Sequence, residues 1–271
     1  MKLRSLPLLA LCFAAFALTP AVAQLVPPGP SGVSMGHMHL TVRDLDANNA
    51  FFALLGGKPV KNGPLQLIEF PGMYVMLRKG EPTGGSVGSS VNHFGFQVRD
   101  MNEWLPKWKA AGLKMDIPRP TQVYLLTPDE IRVEVLEDKN LKTAVAGHHI
   151  HFDVDTAAIP EIQAWYVKTF GAVAGKRGQF EAADLPGVNL TFTKQAPGPY
   201  APTKGRALDH IGFEVKNLPA FLAKLEASGV KLDRPYSKVP NSSVSIAFFT
   251  DPWGTYIELT EGLQPAQQAS N

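Results

Sequence analysis

His210-Ile-Gly-Phe-Glu-Val215 is the stretch on which the architecture turns, because three earlier segments repeat its design: His37-Met-His-Leu-Thr-Val42, His93-Phe-Gly-Phe-Gln-Val98 and His149-Ile-His-Phe-Asp-Val154. Their first histidines stand 56, 56 and 61 residues apart, and a period of that size marks a repeated supersecondary unit. Side chains alternate across a strand. Ile211, Phe213 and Val215 therefore share one face, and His210, Gly212 and Glu214 the other. Likewise Phe94, Phe96 and Val98 oppose His93, Gly95 and Gln97, and Ile150, Phe152 and Val154 oppose His149, His151 and Asp153. The apolar face belongs under a helix. The histidine face suits the wall of a wet cleft.

Outward from each histidine strand the pattern continues alike. A polar cap follows (Asp44, Asp100, Asp155 or Asn217), then a helix-period stretch that stops at glycine: Gly56-Gly57, Gly112, Gly171 and Gly229. Short β runs complete each unit, giving βαβββ with limits 35–80, 89–138, 145–195 and 207–263. The fold class is α+β. The connectors Gly80–Ser90 and Gln195–Arg206 read as exposed loops. Units one and three share a Pro-Gly before the last strand (Pro71-Gly72, Pro186-Gly187). Units two and four share an Arg-Pro (Arg119-Pro120, Arg234-Pro235) and end in a glutamate-bearing strand. That alternation implies a duplicated pair, with two units to each of the domains 35–138 and 145–263.

Charge is close to balanced over the 271 residues, with 26 basic against 24 acidic, which gives no electrostatic case for nucleic acid or an anionic membrane. Residues 1–23 read as a secretory signal peptide: Lys2 and Arg4, an apolar run from Leu6 to Leu18, and Ala21-Val22-Ala23. A periplasmic or secreted protein without a remaining membrane anchor is expected. Residues 24–34, rich in proline and glycine, and 264–271 read as tails. The only cysteine, Cys12, lies inside the leader, so a mature chain holds neither a disulfide nor a thiolate-bound metal. A metal site must use nitrogen and oxygen.

The closing strands supply the oxygen. Tyr256, Glu258 and Thr260 face away from Ile257 and Leu259; Arg132 and Glu134 face away from Ile131, Val133 and Val135. A carboxylate on one strand and imidazoles on others can converge on an ion, and two histidines with one carboxylate leave positions open for substrate. His39 and His151, two residues beyond candidate ligands on the same face, are candidates for an acid–base group. Lys176 and Arg177 after the third helix, and Tyr236 and Lys238 before the final hairpin, are candidates for substrate contact. Trp104, Trp108 and Trp165 sit at core-like spacing on helices.

These residues resemble the vicinal oxygen chelate superfamily of glyoxalases, extradiol dioxygenases and bleomycin- or fosfomycin-resistance proteins. The most specific stretches are Leu208-Asp-His-Ile-Gly-Phe213 and Thr250-Asp-Pro-Trp-Gly-Thr-Tyr-Ile-Glu-Leu259. The resemblance implies four modules paired into two half-open curved sheets around a divalent ion (Fe, Mn, Zn or Ni). Matched position by position, it gives one ligand set of His149, His210 and Glu258 and another of His37, His93 and Glu134. Where glyoxalases of the family carry a second glutamate this chain has Met76 and Thr191. Asn241–Phe249 has neither the histidine nor the tyrosine of the ring-cleaving dioxygenases.

Three functions follow as expectations. The first is a metal-dependent lyase or isomerase that binds neighbouring oxygens of a small substrate and stabilises an enolate or enediolate. The second is an extradiol-type dioxygenase on Fe(II) or Mn(II). The third is a non-catalytic protein that binds or sequesters a small molecule such as an antibiotic. No nucleic-acid partner is expected, and the chain is expected to act as a monomer or homodimer.

Overall fold

The computed structural model describes residues 25–194 and 198–263; the expected signal peptide and the 264–271 tail lie outside them. The first unit contains β1 (Val33–Val42), α1 (Leu45–Leu54), β2 (Lys58–Asn62), β3 (Leu65–Phe70) and β4 (Met73–Lys79). The second contains β5 (Val91–Val98), α2 (Met101–Ala110), β6 (Lys114–Arg119), β7 (Gln122–Leu126) and β8 (Arg132–Glu137). The third contains β9 (Val145–Asp153), α3 (Ile159–Phe170), β10 (Val173–Arg177), β11 (Phe180–Leu185) and β12 (Val188–Thr193). The fourth contains β13 (Leu208–Val215), α4 (Leu218–Ala227), β14 (Leu232–Lys238), β15 (Ser245–Thr250) and β16 (Tyr256–Glu261).

Asp44, Asp100 and Asn217 cap their helices, each accepting a 3.0 Å hydrogen bond from a backbone N–H two or three residues on. Such a cap satisfies one of the amide donors that a helix start leaves open. Asp155 does not cap: a short 3₁₀ turn over Thr156–Ala158 intervenes before α3, and the carboxylate instead pairs with Lys194 at 2.9 Å.

Two eight-stranded sheets form, and their composition corrects the expected pairing. One runs β14-β15-β16-β13-β1-β4-β3-β2 and the other β10-β11-β12-β9-β5-β8-β7-β6. The first unit thus shares a sheet with the fourth, and the second with the third. The seams are antiparallel, β1 against β13 and β5 against β9. Consecutive units meet differently, back to back through their apolar faces. Phe70 packs on Phe96 with ring centroids 4.5 Å apart, and Phe170 on Phe213 at 4.8 Å. The apolar faces of both sheets and residues of all four helices form one continuous core.

Two segments read as loose are built in. Val33 and Ser34 lie inside β1 and are fully buried, and Leu25 is buried among residues of the first sheet's other face. The connectors also hold the units together: Ser89 bridges Ala201, and Arg206 Nε donates to the Gly85 carbonyl at 2.9 Å.

Candidate metal centres

The antiparallel seams decide which histidines meet. Across β1 and β13, His37 lies opposite Gly212 and His39 opposite His210. Across β5 and β9, His149 lies opposite Gly95 and His151 opposite His93. The glycines are what make room. A Cβ on Gly212 would lie 2.1 Å from His37 Cε1, and one on Gly95 would lie 2.1 Å from His149 Cε1. Each imidazole therefore folds over a glycine of the partner strand and reaches the glutamate on the strand beyond, since Gly212 is beside Glu258 and Gly95 beside Glu134.

Two clusters result: His37, His39, His210 and Glu258 in the first sheet, here the outer centre, and His93, His149, His151 and Glu134 in the second, the inner centre. In each cluster, ligand-type atoms lie within 4.8 Å of one another. All six residues expected as ligands are in these clusters, but His37 and His149 change places relative to the expected sets. The cause is the sheet pairing, which brings the first unit to the fourth.

In the outer centre, His37 Nε2 and His210 Nε2 both lie 2.9 Å from Glu258 Oε2. Behind His210, Asp209 Oδ1 is 2.7 Å from Nδ1. Asp209 in turn accepts the Gly205 N–H at 2.8 Å and has Arg78 3.6 Å away. A carboxylate behind a ligating imidazole fixes its tautomer and raises its basicity. Although burial opposes the charge, Asp209 and Glu258 hold the His210 pKa above its ordinary value. Burial opposes ionisation of Glu258 too, but His37 and His210 keep its pKa well below the usual range.

The inner centre has the same frame with other electrostatics. His149 Nε2 and His93 Nε2 lie 2.7 and 3.3 Å from Glu134 Oε2. The partner behind His93 is neutral: Asn92 Oδ1, 2.9 Å from Nδ1, with the Asn92 amide donating to Asp153 at 2.8 Å. Burial pushes His149 down to about 3 and also lowers His93. Gln122 donates to the other oxygen of Glu134 in a short hydrogen bond. Arg177 adds a positive charge, its Nη1 3.7 Å from Glu134 Oε2.

Both clusters fit a divalent ion. His149 Nε2 is 2.7 Å from a carboxylate oxygen yet lacks hydrogen-bond geometry, and His37 Nδ1 has no hydrogen-bond partner among the described residues. Converging lone pairs around a carboxylate suit a cation, and all the donors are nitrogen or oxygen. No second carboxylate enters either cluster among the described residues. Met76 lies beside His39, and Thr191 beside His151.

The remaining candidates separate. His39 borders a cavity of about 190 Å³ shared with His210, Met76, Phe248 and Glu258, and a groove of about 700 Å³ lined also by Leu67 and Arg78. Neither His39 ring nitrogen has a hydrogen-bond partner among the described residues. Burial and the neighbouring histidines lower its pKa well below the ordinary value. His151 Nε2 lies 2.7 Å from Thr193 Oγ1, and its Nδ1 3.4 Å from Arg177 Nη2. It too is pushed down, to about 2, mainly by burial. Arg177 reaches the inner centre. Lys176 does not, pairing with Glu181 on the exposed side, as strand alternation requires. Tyr236 and Lys238 are outside the wall of the smaller cavity, where β14 presents Arg234 instead. Register irregularities between Leu232 and Ser237 turn the later side chains away. Asp209 and Asn92 were missed as supporting groups. Their signal was a polar residue directly before each of two repeated histidines.

Residues 149–259 match the model of the Glyoxalase/Bleomycin resistance protein/Dioxygenase superfamily. Glyoxalase I from Zea mays is similar in structure: 18% identical, covering 85% of this chain and 92% of that one, TM-score 0.64. So is a Bacillus subtilis protein assigned as a dioxygenase: 17% identical, covering 84% and 86%, TM-score 0.64. No curated protein matches the chain in sequence. The resemblance to the vicinal oxygen chelate superfamily therefore holds in fold and in the matched segment.

Proposed function

From the vicinal oxygen chelate fold and the superfamily match over residues 149–259, we propose that the chain is a metal-dependent enzyme acting on a small substrate with two neighbouring oxygens. The observation that carries the reading is the convergence of His37 and His210 on one oxygen of Glu258, each at 2.9 Å, beside a cavity. An ion bound there would supply Lewis-acid stabilisation of negative charge on substrate oxygen. The protein's own part is positioning and proton transfer. Asp209 orients His210, Gly212 leaves room for His37, and Met76 and Phe248 give the cavity an apolar wall. In this reading His39, which borders that cavity, is the group that takes a proton from substrate. A lyase or isomerase reaction is the form this chemistry takes in the reading.

A second reading, a dioxygenase on Fe(II) or Mn(II), draws on the two histidines that reach one glutamate oxygen in each centre, with Met76 and Thr191 where a further carboxylate would stand. Oxygen consumption with a catechol panel separates the two readings. The primary test is metal content. Native-source protein should hold up to two equivalents, and His210→Ala should lose about one while far-ultraviolet circular dichroism stays unchanged. Unchanged metal content sinks the outer centre.

Export is part of the proposal, motivated by Lys2, Arg4, the apolar run and Ala21-Val22-Ala23. N-terminal sequencing of protein recovered outside the cytoplasm should start at Gln24. Recovery only as an uncleaved cytoplasmic chain refutes it.

A further inference from the structure

The internal repeat lets equivalent positions around the two centres be compared, and they differ consistently in polarity. Beside the ligand glutamate, on the neighbouring strand, the outer centre has Phe248 and the inner has Tyr124. Beside the second histidine of the motif, the outer has Met76 and the inner has Thr191. At the last residue of the strand after the helix, the outer has Asn62 and the inner has Arg177. Asn62 is spent on closure, donating to the carbonyls of Gly262 and Leu263 at 3.1 and 2.9 Å. Arg177 is aimed at the chemistry instead. Its Nε donates to Thr191 Oγ1 at 2.8 Å, which fixes the plane of the guanidinium. Its Nη1 lies 3.7 Å from Glu134 Oε2 and its Nη2 3.4 Å from His151 Nδ1.

A guanidinium in that place opposes the binding of a divalent cation, so it needs a compensating role. We propose that Arg177 makes the inner centre a subsite for small anionic chelators, carboxylates with a neighbouring oxygen such as 2-oxo and 2-hydroxy acids. This rests on reading the inner cluster as a metal centre. Glu134, once shared with an ion, is a weaker partner for Arg177. The guanidinium N–H groups not held by Thr191 are then left to an oxygen anion beside the ion, the ligand that a planar fork of donors fits best. The outer centre has Phe248, Met76 and Asn62 in the matching places, none of them a cation. Of the guanidiniums near it, Arg234 lies over Phe248 at 5.6 Å and Arg78 pairs with Asp209 at 3.6 Å.

The test uses the full chain carrying Glu258→Gln, so that one ion binds, with Co(II) as the spectroscopic ion and oxalate and imidazole as probes. Adding Arg177→Gln should weaken oxalate binding by about tenfold or more, the scale of a lost charge-assisted hydrogen bond. Imidazole, which is neutral, should change less than about twofold, and Arg177→Lys should fall between. The same Arg177→Gln change should tighten Co(II) itself, because it removes a positive charge beside the ion. Opposite movements of ion and oxalate are an outcome that a purely structural arginine does not produce. Equal weakening of oxalate and imidazole, or oxalate binding unchanged, overturns the proposal while leaving the metal reading intact. Failure of Co(II) to bind the Glu258→Gln chain overturns both.

Discussion

Gly212 and His37 come from opposite ends of the chain, yet neither position works without the other, because the imidazole occupies the volume a Cβ would take. Gly212→Ala should therefore displace His37 and lower the outer centre's metal affinity by about tenfold or more, the range seen when a ligand's support is lost. Circular dichroism should stay unchanged. In a double-mutant cycle, Gly212→Ala should add little once His37 is alanine. Full additivity in metal titrations would show that the glycine acts elsewhere. At this scale the residues of the two clusters were legible as candidate ligands, since each lies on the polar face of a repeated strand. Which histidine meets which glutamate was not legible: every unit offers the same face, and only the register between distant strands chooses.

At the scale of elements, the closing turns matter as much as the strands they join. Asp251, between β15 and β16, accepts the N–H groups of Trp253 and Thr255 at 2.9 and 2.7 Å and the Tyr166 hydroxyl of α3 at 2.9 Å. Asp129, in the turn before β8, accepts the Asn48 amide of α1 at 2.8 Å. Each turn thus ties its unit to the preceding one, which is where the expected relation between consecutive units reappears. Burial raises Asp251 from 3.8 to about 6, against the pull of those donors. The sign follows from the folded pKa lying above the unfolded one. Its contribution to stability is fully present below about pH 4 and is lost as pH rises through about 6, a change of roughly 3 kcal/mol. Asp251→Asn removes that titration. Between pH 4 and pH 7 its stability in urea melts should rise relative to the parent by up to that amount, and a pH-independent difference would contradict the assignment. The Asp-Pro-Trp-Gly turn was visible in the sequence; its hold on a tyrosine 85 residues away was not.

For the whole molecule, the two centres should load in order. The outer one has Asp209 behind His210, while the inner one has neutral Asn92 and a nearby Arg177, so the first ion should enter the outer centre. Glu258→Gln should abolish the tighter equivalent and most activity, and Glu134→Gln should remove the weaker equivalent and leave most activity. Calorimetric titration of both variants decides the order, and the reverse pattern would make the inner centre the working one. Acid should separate them as well. His210 has a raised pKa and meets proton competition for its lone pair first, so outer affinity should fall by up to about tenfold per pH unit below that pKa. His93 and His149, held low by burial, should keep inner affinity flat over the same window. The repeat, its four copies and the βαβββ plan were all readable from strand periodicity. The nesting of the pairs was not, because an alternating sequence pattern is compatible with either neighbour sharing the sheet. That nesting has a kinetic meaning. The second and third units are separated by a short link, so their common sheet can close once the chain has reached Thr193. The first unit emerges earliest, yet its edge at β1 stays open until β13 arrives. Assembly should run from the middle outward, with the β1–β13 seam of the first and fourth units the last to be protected against hydrogen exchange during refolding.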